Sequence, residues 1–409
     1  MSKLPKGLVT TDKKGRVLPD QFNALSIMAH DPELVGILRH NAFSGLDMLE
    51  RQMPLNGIAP QPGAYPRPVT DQDITLLHGY INHEYNPKFS ALIVRRAAEA
   101  AATSASFHPV VEWLSGLVWD GKPRLDNWLV NVFNPPADTN EQKALIAAFG
   151  SKFLIAAVRR VMDPGCKFDC MLVLEGAQGI GKSTCCRVLF GNEWFSDDLP
   201  HNFANKDAAM QLQGVWGIEM AELAQLTSRR SGIETIKSFL SRQVDRYRPA
   251  YGHKVVSQPR QMVFVGTTNQ TDWAPDDSAG NRRFWPVFCR SADYEWVRVN
   301  RDQLWAEVVL REANGETIHL DHDDLVLEAS HEGEKRREPD PWTQKVEAEL
   351  TGRNEISTSK VFEILDIPSL HQTRSLQMRA ARLLQNLGWK KHLEYNQKTK
   401  KMNRIWKLP

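Results

Sequence analysis

The sequence predicts an α/β protein: a core built on a parallel sheet, a helical region before it and a small basic domain after it. Three observations predict this. An apolar run, Met171-Leu172-Val173-Leu174-Glu175, leads directly into Gly176-Ala177-Gln178-Gly179-Ile180-Gly181-Lys182-Ser183-Thr184 and then into a helical pattern. From about 165 to 290, strand-like and helix-like segments alternate, as they do around a parallel sheet. From about 340, three helical segments precede two short strands, the order of a winged helix.

The 409 residues suffice for two or three domains. No stretch approaches the ~20 apolar residues of a membrane span, and the N-terminus lacks a secretory apolar core. The five cysteines, Cys166, Cys170, Cys185, Cys186 and Cys289, are an odd number without a second Cys/His pair at zinc spacing. A reduced, cytoplasmic protein is expected. The net charge of +2 is unevenly spread. Residues 371–409 carry ten Lys/Arg against one acid, a net +9, so the rest of the chain sums to −7. A basic end on an acidic body points to a polyanionic partner.

In chain order, residues 1–68 form an N-terminal segment with an amphipathic helical pattern (Ile27, Leu34, Leu38, Phe43) and a proline-rich linker. Residues 69–140 form a helical domain, with one helix expected from Thr70 to Ala102 and a turn at Asp120-Gly121-Lys122-Pro123. Residues 141–325 form the nucleotide-binding domain, which opens with a helix marked by Leu145, Phe149, Phe153, Ala157 and Val161. Residues 326–340 are a linker, and 341–409 form the winged-helix-like basic domain. There Pro341 opens Trp342–Leu350 and Ser357 or Thr358 caps Ser359–Leu365. Leu376, Ala380, Leu383 and Leu387 line a third helix, stopped by Gly388.

The motif at Gly176–Thr184 is G-x-x-x-x-G-K-[ST] in its strand–loop–helix setting. Its glycines let backbone N–H groups curl around phosphates at a helix N-terminus. Lys182 is expected on the β- and γ-phosphates of ATP, and Ser183 on Mg²⁺. A second apolar strand, Val215–Leu223, carries Glu219 and Glu222. One of these acids would hold Mg²⁺ and the other polarise the attacking water, with the division of labour open. Asn269, after the strand Met262–Thr268, is expected to sense the γ-phosphate from a strand between the loop strand and the acidic strand. Arg282 or Arg283 would neutralise charge in the transition state, serving a neighbour's ATP if it lies at a subunit edge.

Between the acidic and sensor strands, Arg246, Arg248, Tyr251, His253 and Lys254 interleave base and aromatic around Gly252, a pattern suited to gripping single-stranded DNA. In the tail, Arg374, Gln377, Arg379 and Arg382 would face duplex DNA, with Lys398, Lys400 and Lys401 on phosphates.

These motifs, in this order, resemble the virulence-associated protein E family, P-loop ATPases related to the superfamily 3 helicases of phages, plasmids and mobile islands. The resemblance spans roughly 70–320. Besides the segments above, it is carried by Phe107-His108-Pro109, Trp119-Asp120-Gly121-Lys122-Pro123-Arg124, Lys237-Ser238-Phe239-Leu240, Tyr251-Gly252 and Gly280-Asn281-Arg282-Arg283-Phe284-Trp285-Pro286. It implies an AAA+-like core in a homo-hexameric ring on DNA, a DNA-gripping hairpin around Tyr251–Lys254, and Arg282 as arginine finger with Arg283 as the alternate. Many relatives carry a primase domain upstream. The first ~60 residues are too short for one, so priming would fall to a separate protein.

The expected activity is DNA-dependent ATP hydrolysis by a helicase or translocase replicating a mobile element. A DNA-bound ATPase switch without unwinding, for defence or regulation, would carry the same motifs. A small-molecule kinase would share the phosphate loop but have no use for the arginine pair or the basic tail.

Overall fold

A computed structural model describes residues 7–54, 63–198, 206–224, 230–248, 255–274, 282–336, 340–396 and 401–408. They fall into two units, Met1–Lys335 and Arg336–Pro409.

The first unit begins with the helix Gln21–His30, whose first turn is capped by the Asp20 carboxylate accepting from the Asn23 N–H. Strands β1 (Leu38–Asn41) and β2 (Leu46–Leu49) form an antiparallel pair, and β3 (Arg67–Pro68) adds to β2. The single helix expected over 70–102 is two helices, Asp71–Glu84 and Ala91–Ser104. Pro87 lies in the gap; it has no N–H for the ladder and biases Asn86 away from helical geometry. Thr70 and Asp73 form a capping box on the first helix, and Ser90 caps the second. Ile27, Leu38, Leu49, Leu77, Ile81 and Val94 share one apolar cluster that runs from Val17 to Ala102. Residues on both sides of position 68 therefore share a core, and the proline-rich stretch ends in a strand.

The chain then builds a five-stranded parallel sheet from β4 (Met171–Glu175), β5 (Phe195–Ser196), β6 (Gly217–Met220), β9 (Val263–Thr268) and β10 (Phe284–Phe288). Its spatial order is β10-β4-β9-β6-β5. Between β6 and β9 in sequence, β7 (Val244–Tyr247) and β8 (Val256–Pro259) pair as a separate antiparallel hairpin. The β4 run lacks polar alternation because both its faces are covered. Leu172 and Leu174 pack with Phe149, Trp216, Trp285 and Trp305, whereas Met171 and Val173 pack with Ile218, Met220, Phe239 and Phe264.

Two long helices, Asn140–Met162 and Tyr294–Ala313, contribute to the first of these clusters. Phe149 stacks on Trp285 at 5.3 Å between ring centroids, and Trp216 meets Trp305 at 4.3 Å. The turn at 120–124 is pinned to the second helix. Arg124 grips Asp120 through both terminal nitrogens and reaches Asn300, and the N–H groups of Arg124 and Leu125 donate to the buried Glu307. The Trp119–Arg124 motif is thus a scaffold element.

In the second unit, helix Trp342–Leu350, β11 (Glu355–Ser357), helices Thr358–Ile364 and Arg374–Asn386, β12 (Lys390–Asn396) and β13 (Lys401–Lys407) follow in order. The antiparallel sheet runs β11-β13-β12. Val346, Phe362, Leu383, Trp389 and Trp406 form its core. Strand β11 was not among the expected elements; three residues are too short to show a period of two. No helix among the described residues is long and apolar enough to cross a membrane.

Candidate functional site

The loop after β4 turns on glycines. Gly176, Gly179 and Gly181 have φ of 152°, 79° and 104°, where a side chain would be strained. At Gly176 a Cβ would also lie 2.5 Å from the Cys289 carbonyl oxygen. The helix Lys182–Phe190 starts directly after Gly181, so its free N–H groups open toward the loop. Lys182 folds back over it, Nζ donating to the carbonyls of Gly176 at 2.8 Å and Ala177 at 2.9 Å. Burial pushes its pKa down, against the opposing pull of Cys289 and Glu219. Among the described residues its hydrogen bonds go to main-chain carbonyls, which an anionic ligand could replace.

Glu219, on β6, is 1% exposed. Its Oε1 accepts from Ser183 Oγ and from Thr267 Oγ1, both at 2.6 Å. Its Oε2 is buried without a hydrogen-bond partner among the described residues. A serine hydroxyl beside a carboxylate with an unused oxygen is a hard oxygen donor set, which fits Mg²⁺. Glu222, two residues beyond β6, is exposed and has φ 51°, a left-handed position that costs a non-glycine residue energy.

Strand β9 lies between β4 and β6, which brings Thr267, Thr268 and Asn269 between the loop and the acids. Gln178, Lys182, Ser183, Glu219, Glu222 and Asn269 line one cleft of about 430 Å³. Thr267 and Gln270 also line it. Sequence reading missed both; the polar end of the β9 segment was the available signal. Also missed was the Trp273 indole, which donates at 2.7 Å to Glu175, the buried acid that ends β4 just before the loop.

The arginine pair lies elsewhere. Strand β10 runs parallel to β4, with Phe284 opposite Met171 and Phe288 opposite Glu175. Arg282 and Arg283 therefore stand at the edge where β4 begins, about 16 Å of strand from the loop where it ends. Arg283 is half-buried, its Nε donating to Asp169 at 2.9 Å, while Arg282 is exposed. Neither is part of this chain's own cleft.

On the hairpin, Arg246 and Arg248 are exposed. Tyr251, His253 and Lys254 lie outside the described residues. The hairpin root is held by Arg260, which grips the buried Asp245 at 2.6 and 2.9 Å and lies 4.3 Å from the Phe239 ring centroid. In the second unit, Arg374 is exposed in the first turn of its helix and Arg382 is half-buried. Arg379 is held by Asp340 at 2.7 and 2.9 Å and stacks on Trp342 at 4.0 Å, so its cation is committed within the unit. Lys401 begins β13; Lys398 and Lys400 lie outside the described residues.

All five cysteines are free. Burial pushes Cys170 and Cys185 up to about 12 and raises Cys289 further, so these thiols stay protonated.

The model of the virulence-associated protein E-like domain matches residues 114–337, more than half of the sequence. The chain belongs to the virulence-associated protein E-like family. The matched region takes in the loop, both acids, Asn269, the hairpin and the arginine pair. None of the curated proteins matches the chain. Among solved structures, the apo C-terminal region of NrS-1 (305–718) is similar at 12% identity and TM-score 0.42, over 72% of this chain and 78% of that one. An A-form apo structure of the same region gives 14% identity and TM-score 0.38 over the same shares.

Proposed function

We propose that this virulence-associated protein E-like chain is an ATP-driven DNA translocase of superfamily 3 type, serving replication of a phage, plasmid or mobile island. Its core is read as an AAA+-like P-loop ATPase and its second unit as a winged helix. The observation that carries this reading is Glu219, whose Oε1 joins Ser183 of the phosphate loop to Thr267 of the intervening strand. That contact gathers the loop, an acidic strand and a polar strand end around one cleft. The placement of β9 between β4 and β6 also supports the AAA+-like reading.

In this mechanism Lys182 leaves the Gly176 and Ala177 carbonyls for the β- and γ-phosphate oxygens of ATP. Ser183 and Glu219 would hold Mg²⁺, which would neutralise charge on the phosphates. Glu222 polarises the attacking water and Asn269 orients it. Arg282 of the neighbouring subunit stabilises the transition state, because this chain's own Arg282 lies a strand length away from its cleft. The composite site makes hydrolysis depend on a ring, read as a homo-hexamer. The β7–β8 hairpin would grip a single strand, and the basic second unit would hold duplex.

The test is ATPase activity with and without single-stranded DNA, together with strand displacement on forked substrates. DNA-stimulated hydrolysis with unwinding is the expected result. Stimulation without unwinding on any fork would replace the translocase with a DNA-bound switch. Hydrolysis indifferent to DNA would overturn the DNA reading altogether.

A further inference from the structure

Arg160, in the last turn of the helix Asn140–Met162, is 1% exposed. Among the described residues, its hydrogen bonds go to main-chain carbonyls: Nη2 donates to Phe168 at 2.5 Å and Nη1 to Arg260 at 3.5 Å, while Nε has no hydrogen-bond partner. A buried guanidinium without a hydrogen-bonded carboxylate is costly, so its place needs a reason. The two carbonyls suggest one. Phe168 belongs to the segment that enters β4, and Arg260 follows β8 at the root of the hairpin.

The same segment ties to both places independently. Near its start, the Gly165 N–H donates to the Arg260 carbonyl at 2.9 Å. Gly165 has φ 87°, and a Cβ there would lie 3.3 Å from Pro259 Cβ and 3.4 Å from the Gln243 carbonyl oxygen. The glycine is therefore pressed against the ends of both hairpin strands. At its other end, Asp169 holds Arg283, and the Met171 N–H donates to the Arg283 carbonyl at 2.7 Å. The root is stiff in turn, since Arg260 clamps Asp245 and its N–H donates to Gln243 at 2.8 Å.

We propose that Pro164–Asp169 is a coupling strap between the DNA hairpin and the arginine pair, with Arg160, Gly165 and Asp169 as positioning residues for the hydrolysis step. The proposal rests on the translocase reading. A strand gripped by the hairpin loads its root. The Arg260 carbonyl, shared by Gly165 and Arg160, passes that displacement into the strap. Asp169 delivers it to Arg283 and so to the adjacent Arg282. Because the arginine serves the next subunit, DNA held by one subunit sets the hydrolysis rate of its neighbour.

Asp169→Asn and Arg160→Met test this with the full-length protein. ATP KM and single-stranded DNA affinity should stay within about twofold of the unsubstituted protein, while the ratio of DNA-stimulated to DNA-free kcat falls at least about fivefold. A folded variant of either kind that keeps full stimulation overturns the strap. Amide hydrogen exchange on the unsubstituted protein gives a second test that needs no variant. Single-stranded DNA should alter exchange at 163–170 and 282–284 as well as at the hairpin. Change confined to the hairpin overturns the strap while leaving the translocase reading intact. Unstimulated ATPase with no change at the hairpin overturns both.

Discussion

Ser183 Oγ donates to Glu219 Oε1 at 2.6 Å, joining the first turn of the helix after the loop to a strand two places away in the sheet. A second hydroxyl, from Thr267 on the strand between, reaches the same oxygen. The pair that would hold a metal is therefore already in register, and Glu219 Oε2, buried without a hydrogen-bond partner among the described residues, leaves capacity for it.

The two acids should separate in experiment. Glu219→Gln is expected to weaken Mg²⁺-dependent ATP binding and to slow turnover on the order of 100-fold. Glu222→Gln should slow turnover comparably while leaving Mg²⁺-ATP affinity near normal. Equilibrium binding of a labelled nucleotide with and without Mg²⁺ checks the split; equal loss of affinity in both variants would reject it. Glu222→Gly should also raise thermal stability by about 1 kcal/mol, because glycine adopts φ 51° without strain.

The register of β10 against β4 makes a prediction about assembly. Arg282→Ala should cut hydrolysis on the order of 1,000-fold, and Lys182→Ala should abolish it. If the site is shared between subunits, mixing the two inactive proteins should restore part of the activity, because mixed assemblies would contain interfaces with an intact loop on one side and an intact arginine on the other. Steady-state ATPase across mixing ratios measures this. No recovery at any ratio would place the arginine outside a shared site.

His108 should impose a pH dependence on stability. Its Nδ1 accepts from the Val111 N–H at 3.2 Å at the start of the helix Pro109–Ser115, and its Nε2 lies 2.6 Å from Gln261 Oε1. A ring protonated on Nε2 alone serves both contacts. Burial lowers the pKa from its ordinary 6.5, so the unfolded chain takes up the proton at higher pH than the folded one. Stability is then lost as pH falls through 6.5 and continues to fall until the folded pKa is passed. Burial lowers His319 as well, so part of the slope belongs to it. His108→Asn keeps a capping acceptor and removes one titration. Thermal midpoints below pH 6.5 should vary less steeply in this variant; an unchanged slope would remove His108 from the account.

Two arginines on one helix of the second unit should behave differently. Arg374→Ala is expected to weaken duplex binding and to lower the salt slope of the binding constant by about one. Arg379→Ala should instead destabilise the unit, because it removes the partner of Asp340 and the cation stacked on Trp342. Duplex titrations at several salt concentrations, alongside thermal melts, distinguish the two. A lowered salt slope for Arg379→Ala without loss of stability would assign it to DNA instead.

Local features were legible in the sequence where neighbouring residues decide the structure. The glycines at 176, 179 and 181 can adopt positive φ without strain whatever surrounds them, and a helix follows directly after Gly181. The helix Trp342–Leu350 and the stripe Ala380–Leu383 follow from periodicity alone. The break at Pro87 was equally local, but the apolar spacing on both sides of it masks the interruption.

Partners far apart in the chain were not legible, because hydrogen bonds and ion pairs form between side chains that only packing brings together. The sequence by itself determined that a glycine-rich G-x-x-x-x-G-K-S loop, two acids, a polar strand end and an arginine pair exist, and in what order. Only the tertiary structure decided that Glu219 meets Ser183 and Thr267 while Glu222 stands strained at the cleft edge. It likewise placed Arg282 at the far end of the sheet and bound Arg379 to Asp340. The physical reason is the parallel sheet: its strand order sets which strand ends lie side by side, and its register sets which residues share an edge.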